Sequence, residues 1–450
     1  MSNILSTLSL ARRALLAQQG AMTVVGSNVA NVNTPGYARR RAELESAPGA
    51  SSEFGLLGAG VDLARVRTLR DPFIEDQFRR ELSNSNRLQI EYQQLGLVET
   101  SLGGLGDDSL DAVLGKFWNA WQDLANDPTS SGQRGVVRES ARSLINRFQN
   151  IDRSLREQEK SVNSSISSKI ERVNVITKEI ANLNQTAGRG SRRGDEADDR
   201  RTVLLDELVG LTGAEYKIDQ NGAAAVYIGG IAVVEGTLNR PLEYNSNADK
   251  GSAFGTVGGV NIEIAGGEIA ALQGTIKGEI SSLHQRLDEV ASGLMQAVNR
   301  LHRQGYGLDG NPAGDFFDPA TTGISDIALS DSVEKDVRSI AASANGEVGD
   351  NRLALAIAEL ADQPIVGGRT LGEALRDTIS VFGSRVQEAE VQSEGAQLAV
   401  SQIAAWRDSV SGVSLDEEMT DMIKYQHAYN AAAKMITTMN QMMETLVNMQ

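Results

Sequence analysis

The chain has 450 residues, 40% of them hydrophobic, a formal net charge of -16 and no cysteine. That length suits roughly two to four domains with real cores, the acidic balance argues against a protein that tracks nucleic-acid phosphates, and the missing cysteines exclude disulfides and thiolate metal sites. No run approaches the ~20 apolar residues of a membrane span, and no basic head followed by an apolar stretch opens the chain, so neither membrane insertion nor a cleaved signal peptide is expected and composition alone points to the cytoplasm.

The first residues repeat at seam spacing: Ile4, Leu8, Ala11, Leu15, Gln18, Met22, Val25 and Val29 follow one another at four and three, the pattern of a coiled-coil helix. The helix ends at Asn31, Asn33, Thr34, Pro35, Gly36 and Tyr37, where Pro presets φ and Gly accepts a positive φ in a type II turn. Residues 38–70 read as extended and irregular, with one strand around Val61, Leu63 and Val66. Asp71 and Pro72 then cap and open a helix that runs to about Leu102, and the glycine cluster after it lacks the lysine and the preceding strand of a phosphate loop.

Leu110 to Asn126 is a helix with Phe117 and Trp121 on its apolar face, and three-and-four spacing from Leu144 to Leu183 predicts a rod-like helix of roughly 60 Å. Asp195, Glu196, Asp198 and Asp199, flanked by Arg192, Arg193, Arg200 and Arg201, read as a solvated ion-pair cluster at the start of a helix that ends near Leu211. Between Thr212 and Gly267 the composition shifts to Gly, Ala, Val and Asn, with strands at 216–218, 225–228, 231–234 and 260–264. Helix resumes at Glu268 and ends near His302; residues 315–346 are again irregular and are expected to complete the same β-rich domain. Asp309, Asn311 and Gly314 mimic the opening of an EF-hand loop, but Ala320 stands where the bidentate Glu belongs, and no histidine has a second ligand at zinc spacing, so no metal and no cofactor are expected.

A long helix over 370–406 leads to the last one, Leu415 to Asn448, which holds no Gly or Pro. Its apolar residues, Met422, Tyr429, Met435, Met439, Met442 and Leu446, form a stripe that needs a partner. Spacing alone leaves open whether the two terminal helices close on each other or on other chains.

The turn from Ala30 to Tyr37 resembles the signature that follows the first helix in axial proteins of the bacterial flagellum, a group that includes rod, hook and hook-associated proteins. Asn299, His302 and Gly305, with Phe316 and Phe317 after them, resemble the hook-associated protein 1 family in particular, as do Ser411 to Glu418 and Tyr425 to Lys434; Glu418 to Ile423 is similar to hook and rod proteins too. The resemblance implies a structural subunit of the ring between hook and filament, with terminal helices as an inner layer. It implies contacts with further copies, the hook protein and hook-associated protein 3, and export of the unfolded chain by the flagellar type III system with a chaperone on the C-terminal segment. The address it implies is extracellular, in the flagellum, in place of the cytoplasm; a hook or rod protein is the neighbouring alternative.

A wall-modifying enzyme is the competing class. It needs two carboxylates poised across a cleft, and no isolated acid in an apolar setting and no Gly-x-Ser-x-Gly elbow is present, so no catalytic residue is assigned. The expected architecture is mainly α with a β-rich insertion in three parts: a terminal-helix assembly domain over 1–40 and 411–450, a long-helix bundle over 41–211, 268–304 and 350–410, and a single β-rich outer domain over 212–267 and 305–349.

Overall fold

The computed structural model describes residues 2–52, 55–103, 106, 109–187, 196–220, 222–246, 254–256 and 259–448. In chain order these form α1 (Ser2–Ala30), the strands β1 (Arg40–Ser46), β2 (Ala50–Ser52), β3 (Gly55–Leu57) and β4 (Val61–Thr68), then α2 (Pro72–Leu102), α3 (Leu110–Asn126), α4 (Ser131–Ala187) and α5 (Glu196–Thr212). Seven short strands follow: β5 (Glu215–Ile218), β6 (Ala224–Ile228), β7 (Ile231–Glu235), β8 (Leu238–Asn239), β9 (Leu242–Tyr244), β10 (Phe254–Thr256) and β11 (Asn261–Ile262). The remainder is α6 (Gly267–Gly274), a π-helical turn (Thr275–Ile280), α7 (Ser281–His302), α8 (Asp331–Lys335), α9 (Arg352–Ala358), α10 (Leu371–Ser411) and α11 (Leu415–Asn448). The chain is thus mainly helical with small sheets. Most of the long predicted helices are present; α4, at 57 residues, is about 85 Å long and starts well before Leu144.

The chain packs as two compact units, one from residues 1–86, 170–267 and 396–450, the other from 87–169 and 268–395. The first unit holds the terminal helices and all the named sheets. β1 and β4 pair antiparallel from Arg40 opposite Thr68 to Ser46 opposite Val61, with an irregularity after Glu43, and β2 and β3 pair between them. Residues 38–70 are therefore more regular than their mixed composition suggests. Charged residues such as Arg41, Glu43, Arg65 and Arg67 occupy the strands, and cross-strand ion pairs from Arg65 and Arg67 to Glu43 replace the apolar alternation that marks a half-buried strand.

Strands β5 to β8 form a four-stranded antiparallel meander, and β9 to β11 a three-stranded sheet. Two asparagines of α4 pair with this β region through backbone-like bonds. The Asn184 side chain accepts from Ala224 N at 2.9 Å and donates to Ala224 O at 2.8 Å and Gly236 O at 2.7 Å, while Asn174 accepts from Leu242 N and donates to Leu242 O. Each side chain satisfies the edge of a strand whose groups would otherwise be orphaned.

The second unit is built on one continuous core. Leu95 and Val98 of α2, Phe117 and Trp121 of α3, Leu144 and Phe148 of α4, Leu287 and Leu294 of α7, and Leu375 of α10 all belong to it. Residues 305–349 join this unit and not the β region of 212–267, which corrects the expected pairing of the two stretches. The physical reason is the fully buried pair Phe316 and Phe317, whose rings pack on Phe117 and Trp121 and commit the segment to the helical core. Instead of strands, the segment is held by isolated bridges such as Tyr306 with Ser343 and Phe317 with Leu329.

Candidate functional site

The terminal helices α1 and α11 pack on each other within the first unit. Asn28, near the end of α1, touches Glu418, in the first turn of α11. From that contact both helices lead away in opposite chain directions, so the pair is antiparallel. On α11 the covered positions include Glu418, Met422, Tyr425, Tyr429, Ala432, Ile436, Met439 and Met443, an unbroken alternation of four and three, with Asp421, Ala428 and Ala433 half-buried beside them. On α1 the most deeply buried positions are Ala11, Ala17, Ala21, Val25 and Asn28, while Leu8, Leu15, Met22 and Val29 are half-buried.

Strands β1 and β4 pack on α1, as α11 does, so its buried positions are not those of one seam alone. Of the α11 residues expected in the stripe, Met422, Tyr429 and Met439 are half-buried, while Met435 and Met442 are exposed. Met435 and Met442 are 43% and 54% exposed on the flank of α11 next to the covered stripe, and Leu415, Met419 and Ile423 are exposed as well. The side chains of Ile4 and Leu446 lie outside the described residues.

The turn after α1 is fixed by its own side chains. Asn31 donates to Ser27 O at 2.9 Å, Thr34 donates to Asn31 Oδ1 at 3.1 Å, and Tyr37 N reaches Thr34 O at 3.1 Å. Gly36 sits at φ +77°, and a Cβ there would stand 2.3 Å from a Val203 methyl of α5, so only glycine fits. Asn33 and Pro35 are exposed and line a cleft shared with residues 407–414.

Asn28 is the hub. Its Oδ1 accepts from Tyr37 Oη at 2.8 Å and Arg40 N at 3.0 Å, and its Nδ2 donates to Arg40 O at 2.8 Å and Glu418 Oε2 at 2.9 Å. Arg39 completes the link, donating from Nε to Glu418 Oε1 at 2.7 Å and from its backbone N to Ser411 O at 2.8 Å, with Glu417 as a further partner. No single residue type here marks the site in sequence; Glu418 reads as one of three acids in the first turn of a helix, where the dipole favours negative charge.

A second polar cluster lies beneath the turn. Asp199 is buried and bridges Arg40 at 2.7 Å and Arg70 at 2.8 Å, and Arg70 also donates to Gly36 O and Thr202. Burial pushes the Asp199 carboxyl up, against the two guanidiniums that hold it down. Arg201 is buried with Asp198. The expected solvated cluster is thus corrected for Asp199 and Arg201, because partners 129 and 159 residues away in sequence cover Asp199. Asp195, Arg192 and Arg193 lie outside the described residues. Nearby, Arg79 and Arg407 share Asp206 at 2.6 and 3.0 Å, Arg407 stacks over Phe78, and burial pushes the Tyr216 phenol up to about 12.

In the second unit Asn299, His302, Gly305, Phe316 and Phe317 come together. Asn299 Oδ1 accepts from both Phe316 N and Phe317 N at 2.9 and 2.8 Å, and its Nδ2 donates to Phe317 O at 3.0 Å. His302 is fully buried; Nε2 accepts from Ala341 N at 2.9 Å, which leaves Nδ1 to donate to Gly314 O at 2.8 Å. Burial pushes its pKa down to about 4, so the ring is neutral. At Gly305 a Cβ would meet Leu353 at 2.1 Å and Ser343 O at 2.9 Å. These groups fasten a loop to a core; among the described residues no group of three or more acids and histidines could hold a metal ion, and no helix is long and apolar enough to cross a membrane.

A family model for the helical domain of flagellar hook-associated protein FlgK matches residues 95–317, a span that holds the Asn299 and His302 staples. A model for flagella basal body rod proteins matches residues 8–37, α1 with its turn, and one for the C-terminal part of the basal body rod FlgEFG proteins matches residues 408–449, α11. Flagellar hook-associated protein 1 of Bacillus subtilis (strain 168) is 27% identical, with all of this chain and 99% of that one aligned. The Salmonella typhimurium protein of the same name is 25% identical over 99% of this chain and 100% of its own length. The chain belongs to the flagellar hook-associated protein 1 family.

The fold agrees: the solved hook junction protein FlgK from Burkholderia pseudomallei superposes with a TM-score of 0.67 at 13% identity, over 75% of this chain and 100% of that one. As a hook-associated protein the chain is a structural component of the flagellum, and its relatives are structural proteins and not enzymes. The Salmonella alignment runs over 554 positions against 450 residues here, so that hook-associated protein carries more than a hundred residues without a counterpart in this one.

Proposed function

We propose that this hook-associated protein forms the ring that joins hook to filament. Copies stand side by side with α1 and α11 as an inner layer, one edge of the ring meeting the hook protein and the other hook-associated protein 3. The chain reaches that place unfolded through the flagellar type III apparatus, with a chaperone on its C-terminal segment, and folds at the growing tip. The assembly layer is made of Ile4, Leu8, Leu15, Met22, Val25 and Val29 on the first helix and Met422, Tyr429, Met435, Met439, Met442 and Leu446 on the last; within it Val25, Met422, Tyr429 and Met439 are covered in the single chain, and Met435 and Met442 are the part left for neighbours. The division of labour is a terminal-helix domain that assembles, a helical domain that stiffens, and a β-rich part that faces outward.

One observation carries this reading: after α1 has covered its side of the seam, α11 still exposes Leu415, Met419, Ile423, Met435 and Met442. A helix that is apolar beyond its intramolecular seam has a surface for further helices, and methionine suits a contact made with more than one kind of neighbour. The test is the double variant Met435→Asp with Met442→Asp. Both side chains are exposed in the single chain, so its circular dichroism and melting temperature stay unchanged, while cells producing it lack the ring and shed filament subunits into the medium. Normal filaments on those cells would sink the proposal.

A further inference from the structure

We infer that the buried Asn28–Glu418 pair is the register lock of the terminal helices: it selects which of several heptad-related alignments α1 and α11 adopt. The seam itself does not discriminate between them well. The covered positions of α11 alternate at four and three, a pattern that a one-heptad slide preserves while displacing the helix by about 10 Å along its partner.

Asn28 and Glu418 break that equivalence. Each is 1% exposed, and they sit at the end of the seam where α1 stops and α11 starts. Glu418 places one carboxylate oxygen on Asn28 and the other on Arg39, so both are satisfied in the observed alignment. A slide of seven residues leaves the carboxylate without both donors, and an orphaned buried charge costs far more than a neutral seam contact gains. Asn28 is also held by Tyr37 and by both backbone groups of Arg40, so the signature turn fixes the lock's other half in place. The lock is a property of the single chain and does not depend on the ring.

The chain has no cysteine, which allows a direct test by disulfide trapping. Counting along the seam from Asn28 opposite Glu418 puts Ala14 opposite Ala432, and a one-heptad slide puts Ala21 opposite Ala432. The purified full chain carrying Ala14→Cys with Ala432→Cys forms an internal disulfide under mild oxidation; Ala21→Cys with Ala432→Cys gives only a trace. In the background of Asn28→Leu with Glu418→Leu, the second pair's yield rises about tenfold, the factor that a register preference of about 1.4 kcal/mol maintains. Glu418→Ala alone gives the same rise without adding bulk, and Glu418→Gln, which keeps an acceptor for Asn28, restores most of the original ratio. If the Ala21/Ala432 bond stays at trace level in both lock variants while α1 and α11 remain helical, the seam sets register without the pair and the inference is overturned. Loss of all terminal helix in both variants overturns it too, because a pair that only chooses register is not required for the helices to form.

Discussion

His302 Nε2 accepts the backbone N–H of Ala341 at 2.9 Å, which requires that the ring be neutral with its proton on Nδ1. Burial sets the pKa near 4, whereas an imidazole in the unfolded chain takes its proton near 6.5. Between those values the unfolded chain binds the extra proton, so stability falls as pH falls from about 6.5 to about 4, by about 3 kcal/mol for this group. Above pH 6.5 it contributes no slope. Urea unfolding of the chain and of His302→Gln across that window measures it: the variant's stability varies less with pH, and equal slopes would show that the histidine is protonated in the fold.

Asn299 satisfies three backbone groups of the Phe316–Phe317 loop in a position that is 4% exposed. Asn299→Ala leaves two N–H groups and a carbonyl unpaired there, and the second unit loses about 3–5 kcal/mol. The loss appears as a lower urea midpoint followed by tryptophan fluorescence, since Trp118 and Trp121 report on that core.

Two glycines near each other in sequence respond with opposite sign. Gly36→Ala places a Cβ in a left-handed backbone conformation and against Val203, and costs about 2–4 kcal/mol. Gly26→Ala near the C-terminal end of α1 meets nothing within 4 Å and stabilises the helix by about 0.5–1 kcal/mol. Chemical denaturation of the two variants side by side checks both signs.

Gln18 of α1 is half-buried, and its Oε1 is buried without a hydrogen-bond partner. Gln18→Leu removes that cost and raises the stability of the isolated chain by about 1 kcal/mol, read as hydrogen-exchange protection in α1. A decrease would mean that the amide is satisfied in solution.

The long helices were legible because their signal is local. Leu110 to Asn126 and Leu415 to Asn448 lie in the structure where periodicity and the spacing of Gly and Pro put them. Strand β4 was expected around Val61, Leu63 and Val66, but β1 and its pairing with β4 were not legible, since these strands carry charges whose partners sit across the sheet, and neither were β8 to β10, which are two or three residues long. The α11 stripe was legible only as a stripe: Met422, Tyr429 and Met439 are half-buried and Met435 and Met442 are exposed, and periodicity cannot tell a face that packs within the chain from one left open.

The sequence by itself determined the helices, the tight turn at Gly36 and membership of a flagellar family, because each depends on residues within a few positions of one another. Only the tertiary structure decided that 305–349 joins the helical core, that Asp199 is buried under two distant arginines, and that Glu418 meets Asn28 and not water. Those outcomes depend on which surfaces exclude solvent together, and burial of a polar group is settled by partners hundreds of residues away.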